Sequence, residues 1–182
     1  MWRAWRRIGM GLALGLCALG TRASAQPANG FGAALGIAAN YYSVTKPYSS
    51  AGGSLAGDMQ FAVNDAWSLN PYLMLTGEAL FEGATGGASN GVAGFEVRRW
   101  WGERFIGAHL AAYSTFIATR GSSRNLYDPG IGITLGVERA DGLTYALVAD
   151  LPRIFLPVAA FPLVHINEQQ AGLRLHVGYR FR

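Results

Sequence analysis

Cysteine and lysine are almost absent from this chain of 182 residues. The single cysteine, Cys17, lies within the first 25 residues, so the remainder has no disulfide framework to hold a small fold together. The single lysine is Lys46, whereas the surface of a soluble domain normally carries dense charge of both signs. After residue 25 there is also no run of about 18 apolar residues, so we expect no helical membrane anchor.

The first 25 residues have the composition of a secretory signal peptide. A basic start, an apolar run and a small-residue cleavage site follow one another at Arg3, Arg6 and Arg7, at residues 8–20 and at residues 23–25. We expect cleavage near Ala25, which leaves residues 26–182 as one domain. Cys17 admits a lipoprotein alternative, but the bulky Leu16 before it suits that processing poorly.

The net charge of the chain comes from this leader. Without its four arginines, 11 basic residues face 11 acidic ones, and the mature chain is formally neutral. A basic patch for binding nucleic acid is therefore not expected, and we predict no nucleic-acid partner.

What the mature sequence does contain is alternation of apolar and polar residues. It is most regular at the end, where Leu173, Leu175, Val177, Tyr179 and Phe181 alternate with Arg174, His176, Gly178, Arg180 and Arg182. A period of two indicates a β-strand with one apolar and one polar face. Eight such segments are predicted, near residues 31–44, 54–63, 68–82, 91–100, 105–118, 130–139, 143–151 and 169–181.

The connections between these segments alternate in length. Short ones are predicted at residues 64–66, 102–103 and 140–142, and long ones near 45–53, 83–90, 119–129 and 152–168. This alternation is typical of an up-and-down membrane barrel, with turns on one side and loops on the other. Residues on the same face of two paired strands must lie opposite one another. This parity predicts Glu96 opposite His109, and Glu138 opposite Thr144 if Gly142 adopts a positive φ.

The choice between a membrane barrel and a soluble barrel or sandwich depends on which face points inward. The less hydrophobic face is rich in glycine and alanine and poor in charge, which suits a crowded interior better than a water-facing surface. Aromatic residues also form two bands, with Trp67, Trp100, Trp101, Phe105, Tyr145, Tyr179 and Phe181 in one and Tyr41, Phe81 and Phe116 in the other. We therefore predict an all-β fold, an eight-stranded antiparallel up-and-down transmembrane β-barrel.

Ionisable side chains are predicted on the interior face. They are Asp58, Glu78, Glu96, Arg98, His109, Glu138, Asp150, Arg174 and His176. The main interpretation is a lumen polar network in which the charges pair with one another, and the alternative is a polar or proton-conducting pathway. The spacing of histidines and acids predicts no metal site, and we expect no cofactor.

The last long loop is the best candidate for binding. Between residues 152 and 168 the sequence is unusually apolar for a loop in water, and the residues favoured for ligand or partner contact are Ile154, Phe155, Leu156, Phe161 and Leu163. It would contact the outer leaflet, a surface protein or a hydrophobic ligand, or else simply pack over the barrel mouth. In the loop at 119–129, Arg120, Arg124, Asn125 and Tyr127 would either meet anionic surface sugars or, as the favoured interpretation, simply be solvated loop residues.

An acyl enzyme that modifies lipid A is the enzymatic alternative. Its site would need a serine, a histidine and an acid near the loop end. Only His165 lies at that end, with Ser114 and with Asp128 or Glu168 as the remaining members. No local motif links these residues, and none of the three histidines is followed two positions later by serine. We therefore predict no catalytic residues.

The chain resembles the small eight-stranded outer-membrane barrels of Gram-negative bacteria, of the OmpA-like, OmpX-like and OmpW-like types. The resemblance covers residues 26–182 and implies contact with outer-membrane lipid and lipopolysaccharide. It also implies that the assembly machinery reads the last strand, here through Tyr179 and Phe181, with Arg182 displacing the aromatic by one position. The expected function is non-enzymatic, in envelope integrity or in surface interaction through loops. Passage or binding of small hydrophobic compounds is the alternative, with the loop at 152–168 and with Met74 and Tyr113 in the lumen forming the entry.

Overall fold

The computed structural model describes residues 27–43, 47–81, 85–152 and 169–182, and the predicted leader lies outside them. The strands are β1 (Gly30–Ser43), β2 (Pro47–Asn64), β3 (Trp67–Phe81), β4 (Gly86–Trp101), β5 (Arg104–Thr119), β6 (Ser122–Glu138), β7 (Leu143–Pro152) and β8 (Gln169–Phe181). Each pairs antiparallel with its neighbours in sequence, and β1 also pairs with β8, so the sheet closes into a barrel. The predicted eight-stranded antiparallel barrel is confirmed. In the described part of the chain, no helix has the length and hydropathy to cross a membrane.

Three short turns connect β2 to β3, β4 to β5 and β6 to β7 at what we call the turn end; the opposite end is the rim end. Glu96 lies opposite His109, and Glu138 lies opposite Thr144, as the parity of the sequence predicted. Gly142 has a φ of 91°, a conformation that glycine adopts without steric cost and that closes the β6–β7 turn. The strand registers are therefore those that the alternation of residues requires.

At the rim end, three connections predicted to be long are short. β2 begins at Pro47, β4 begins at Gly86, and the β5–β6 turn holds only Arg120 and Gly121. The predicted loops at 45–53, 83–90 and 119–129 are therefore wrong over most of their length. Their glycine and serine content gives little intrinsic strand preference, and pairing with neighbouring strands supplies the stability that local sequence does not.

The two faces of the barrel have opposite chemistry. The outward side chains of Leu35 and Leu73 are 67% and 66% exposed, whereas the inward side chains of Glu138 and Arg174 are 0% and 1% exposed. Most of the outward aromatics also lie near one end or the other. Trp100 and Phe105, which were predicted in the aromatic band at the short-turn end, point inward and are buried. Their rings pack 4.8 Å apart inside the turn end, so these two aromatics lie at the predicted end but do not belong to an interfacial girdle.

Candidate functional site

Among the described residues, the polar side chains of the lumen form three hydrogen-bonded groups. The first, the turn-end cluster, is built on Asp58 of β2. Its Oδ2 atom accepts from the Nη2 atoms of Arg98 at 3.1 Å and Arg180 at 2.9 Å. Arg98 also pairs with Glu96 at 2.6 Å, and Arg180 with Glu138 at 3.0 Å. The cluster therefore joins strands β2, β4, β6 and β8 across the lumen.

The second group, the middle cluster, surrounds Asp150 of β7. His109 Nε2 lies 2.7 Å from Asp150 Oδ1, and the Tyr113 hydroxyl donates to the same oxygen at 2.7 Å. The other carboxylate oxygen forms an ion pair with Arg174 of β8. Close by, His176 Nε2 lies 2.9 Å from the Ser54 hydroxyl. Asp150 therefore ties β5 to β8 through one shared carboxylate.

The third group surrounds Glu78, nearer the rim end. Neutral side chains donate to its carboxylate, at 2.6 Å from Asn40, 2.6 Å from Thr76, 3.0 Å from Asn90 and 3.3 Å from Tyr42, and also from Ser50. Ser50 and Asn90 lie in stretches that were predicted as loops. Their buried contacts with Glu78 show why the strands continue past the predicted ends, because a donor held on a buried carboxylate fixes its own backbone inside the barrel.

Apolar side chains fill the space between these clusters. At the rim end a buried cluster comprises Tyr42, Leu80, Ala88 and Ile117, with Tyr48 and Leu126 packed against it. Met74 and Tyr113, predicted at the opening of a passage, lie in a second buried cluster with Val92 and Ala111. A cavity of about 90 Å³, lined in part by Tyr72, Glu96 and His176, has room for only a few water molecules.

Comparison with known proteins gives likenesses in fold. No protein-family model matches the chain, and no curated protein matches it. Among solved structures, Ail, the attachment invasion locus protein of Yersinia pestis, in complex with the heparin analogue sucrose octasulfate, has a TM-score of 0.59 and 14% identity, covering 84% of this chain and 99% of that one. Neisserial surface protein A has a TM-score of 0.55 and 12% identity, covering 83% and 97%. The chain has the fold of the small eight-stranded outer-membrane barrels.

In this barrel the nine ionisable residues singled out in the sequence all point into the lumen. The structure distributes them over the three clusters and brings several of them into contact with residues that were not predicted from the sequence. The missed residues include Asn40, Tyr42, Asn70, Asn90 and Arg180. The parity of their strands was the available signal, since Arg180 lies on the same face of β8 as Arg174 and His176. Arg182 also has a partner, because its Nη2 atom lies 2.8 Å from Glu138.

Other candidate residues are not brought together. Ser114 lies on the outward face of β5, whereas Asp128 lies opposite the inward Tyr113, so these two side chains occupy different faces of the barrel. His165, Glu168 and the apolar residues 154–163 lie outside the described residues. Within the described ranges, no three potential ligands lie close enough to hold a metal ion.

The predicted assembly-signal residues lie on the outer surface of β8. Tyr179 and Phe181 are 46% and 56% exposed, and their rings lie 5.0 Å apart. Phe181 also stacks on Phe31 of β1, with ring centroids separated by 6.4 Å. The last strand therefore presents its aromatic side chains outward at the place where the barrel closes.

Proposed function

We propose that the mature chain, released from its leader near Ala25, is a non-enzymatic barrel of the Gram-negative outer membrane that acts at the cell surface through its rim. The observation that supports a membrane location best is the inverted distribution of side chains. Large apolar residues such as Leu35 and Leu73 face outward, while the buried charged residues of the strands face the lumen. Such a surface is stable in lipid and would aggregate in water.

The lengths of β5 and β6 support a role for the rim. These strands have 16 and 17 residues, which at about 3.3 Å per residue and a tilt of about 40° span roughly 40 Å along the barrel axis. The apolar band of such barrels is only about 25 Å tall. The β5–β6 hairpin would therefore rise well above the membrane and carry Arg120 and Arg124 into the aqueous phase.

The lumen supports a role as a rigid scaffold. The arginines and carboxylates of the turn-end cluster are paired with one another, and buried apolar clusters occupy the middle and the rim end. A lumen filled in this way holds the strands in fixed register while leaving little room for a solute. Binding at the rim is therefore favoured over passage of hydrophobic compounds through the barrel.

Lipopolysaccharide is the partner that this rim fits best. The Ail structure contains a sulfated sugar, the heparin analogue sucrose octasulfate. By analogy we assign Arg120 and Arg124 a role in contacting anionic groups of surface sugars, because guanidinium groups bind phosphate and sulfate oxygens in pairs. The apolar segment containing Ile154, Phe155, Leu156, Phe161 and Leu163 would add a contact for a surface protein, a hydrophobic ligand or the outer leaflet.

The membrane location is tested by cell fractionation together with gel mobility in SDS, with and without heating. We expect the chain in the outer-membrane fraction and a faster-migrating band before heating, because a closed barrel resists SDS until it is heated. A soluble periplasmic fraction without a mobility shift would overturn the assignment.

The rim is tested by binding of the folded barrel to immobilised lipopolysaccharide. The Arg120→Ser/Arg124→Ser variant should bind about tenfold more weakly, since two charge-assisted contacts are lost. Arg139→Ser is the matched control, because Arg139 is an exposed arginine at the turn end. Equal binding by all three proteins would remove the rim arginines from the proposal.

A further inference from the structure

Arg99 and Arg104 are exceptions to the pattern of charge on the barrel. Of the charged side chains in the described strands, these two alone occupy outward positions, because Arg99 lies opposite Trp67 and Arg104 lies opposite Trp101. Both belong to the turn end, where β4 and β5 meet at the turn formed by Gly102 and Glu103. A charge on the lipid face costs free energy unless it reaches the interface or a partner there.

Arg99 is held between two indole rings. Its Cζ atom lies 5.2 Å from the ring centroid of Trp67 and 5.6 Å from that of Trp101. The two tryptophans are 42% and 57% exposed on the outer surface. A guanidinium group that uses its faces for aromatic contacts keeps its N–H groups at the edges, directed away from the rings. The rings therefore orient Arg99 without using its hydrogen-bonding capacity.

Arg104 lies close enough to act on the same ligand. Arg99 is opposite Ile106 and Arg104 is opposite Trp101, so the two arginines are diagonal neighbours across β4 and β5. Diagonal neighbours of an antiparallel pair are about 7–8 Å apart, a distance that two arginine side chains bridge easily. The site thus combines two positive charges with two amphipathic rings at the depth where head groups meet the acyl chains.

We propose that Trp67, Arg99, Trp101 and Arg104 form a binding site for the phosphodiester of an anionic phospholipid in the periplasmic leaflet. The two guanidinium groups would bind the phosphate oxygens, and the indole rings would pack beside the glycerol and the first carbons of the acyl chains. A net negative lipid is favoured over a zwitterionic one, because the cationic head group of the latter is repelled by the same arginines. This inference rests on the proposed membrane location.

The test uses the full mature barrel refolded in detergent, with phosphatidylglycerol or phosphatidylcholine added and bound lipid counted by native mass spectrometry. We expect wild type to retain phosphatidylglycerol in preference to phosphatidylcholine. Arg99→Gln/Arg104→Gln should retain about tenfold less phosphatidylglycerol, whereas Arg139→Gln should behave as wild type. Arg99→Lys/Arg104→Lys keeps the charge and should retain an intermediate amount.

Folding is checked in the same samples by the mobility shift in SDS. If the double Gln variant fails to fold, the single Arg99→Gln variant gives the same comparison with a smaller expected loss. Equal lipid retention by the Gln variant and by wild type, with both barrels folded, would overturn the lipid site and leave the membrane location intact. The proposed location fails separately, through a soluble periplasmic fraction in the cell-fractionation experiment.

Discussion

Glu78 is a buried carboxylate, and its hydrogen-bonding partners in the described part of the chain are neutral side chains. Asn40, Asn90 and three hydroxyl groups direct donors at it from strands β1 to β4. Multiple hydrogen bonds stabilise a buried charge, and removing the acceptor leaves each donor without a partner. The apolar cluster at the rim end lies beside these donors and keeps water away from them.

We expect Glu78→Ala to lower the free energy of unfolding by about 3 kcal/mol, because the amide donors of Asn40 and Asn90 lose their acceptor. Glu78→Gln keeps the shape of the side chain and one acceptor oxygen, although its amide NH2 opposes the remaining donors. Its loss of unfolding free energy should therefore be smaller than that of Glu78→Ala. Urea titration in phospholipid vesicles measures both. Asp65→Ala removes an exposed carboxylate in the β2–β3 turn and should change the value by no more than about 0.5 kcal/mol. A Glu78→Ala barrel as stable as this control would contradict the argument.

The inward position of Glu78 followed from the sequence, but its partners did not. Alternation along β3 is a local pattern, and it assigns each residue to a face. The contact with Asn40 joins residues 38 apart and depends on the stagger of β1, β2 and β3. The sequence thus predicts that two such polar side chains lie in the lumen. Which of them contact each other can be known only from the strand registers of the closed barrel.

At the scale of the strand, β8 carries two outward aromatic rings at the place where the barrel closes. Tyr179 and Phe181 face outward, and Phe181 stacks on Phe31. The resemblance to outer-membrane barrels implies that this strand is read during assembly. Arg182 does not interrupt the outward aromatic face, because its guanidinium group pairs with the lumen residue Glu138.

We expect Phe181→Ala to reduce the amount of folded barrel in the outer membrane several-fold while leaving refolding into detergent nearly unchanged. The reason is that the aromatic ring would act during recognition, whereas its contribution to the finished barrel is that of one half-exposed side chain. Phe116→Ala is the matched control, since Phe116 is an outward aromatic of β5 near the rim end. The SDS-resistant fraction in isolated membranes is the measurement, and equal fractions for both variants would argue against an assembly signal in Phe181.

Strand ends at the rim were the least predictable elements. The stretch before Leu55 is rich in serine and glycine, and it reads as a loop when taken alone. In the barrel it pairs with β1 on one side and β3 on the other, and Ser50 reaches Glu78. By contrast, β8 was predicted at its observed bounds, because its apolar and polar residues alternate without a break from Leu173 to Phe181.

For the molecule as a whole, the ion pair that links β2 to β8 across β1 depends on the absence of a side chain at Gly32. Asp58 of β2 and Arg180 of β8 pair across β1 at 2.9 Å, and Gly32 lies between their strands. A methyl group at Gly32 would overlap Asp58 Oδ1 and come within 3.1 Å of Arg180 Nη1. The ion pair therefore passes over β1 at a position where a larger residue does not fit.

We expect Gly32→Ala to lower the free energy of unfolding by about 2 kcal/mol, because the added methyl group forces Asp58 and Arg180 apart. Gly77→Ala makes the same change on the outer surface, with no atom within 4 Å of the new methyl, and should be neutral or slightly stabilising. Urea titration of the two variants in vesicles gives the comparison. A Gly32→Ala variant with the stability of Gly77→Ala would show that the pair adapts without cost.

The pair between Asp58 and Arg180 joins residues 122 apart in the chain, so it also bears on the order in which the barrel folds. Neither it nor the ladder between β1 and β8 can form until the last strand has arrived, and chain segments so distant meet slowly. Folding intermediates would therefore persist as open sheets with two exposed edges. Once the ends have met, separating them requires breaking a hydrogen-bonded ladder and a buried ion pair together, so we expect the barrel to form late and to unfold slowly.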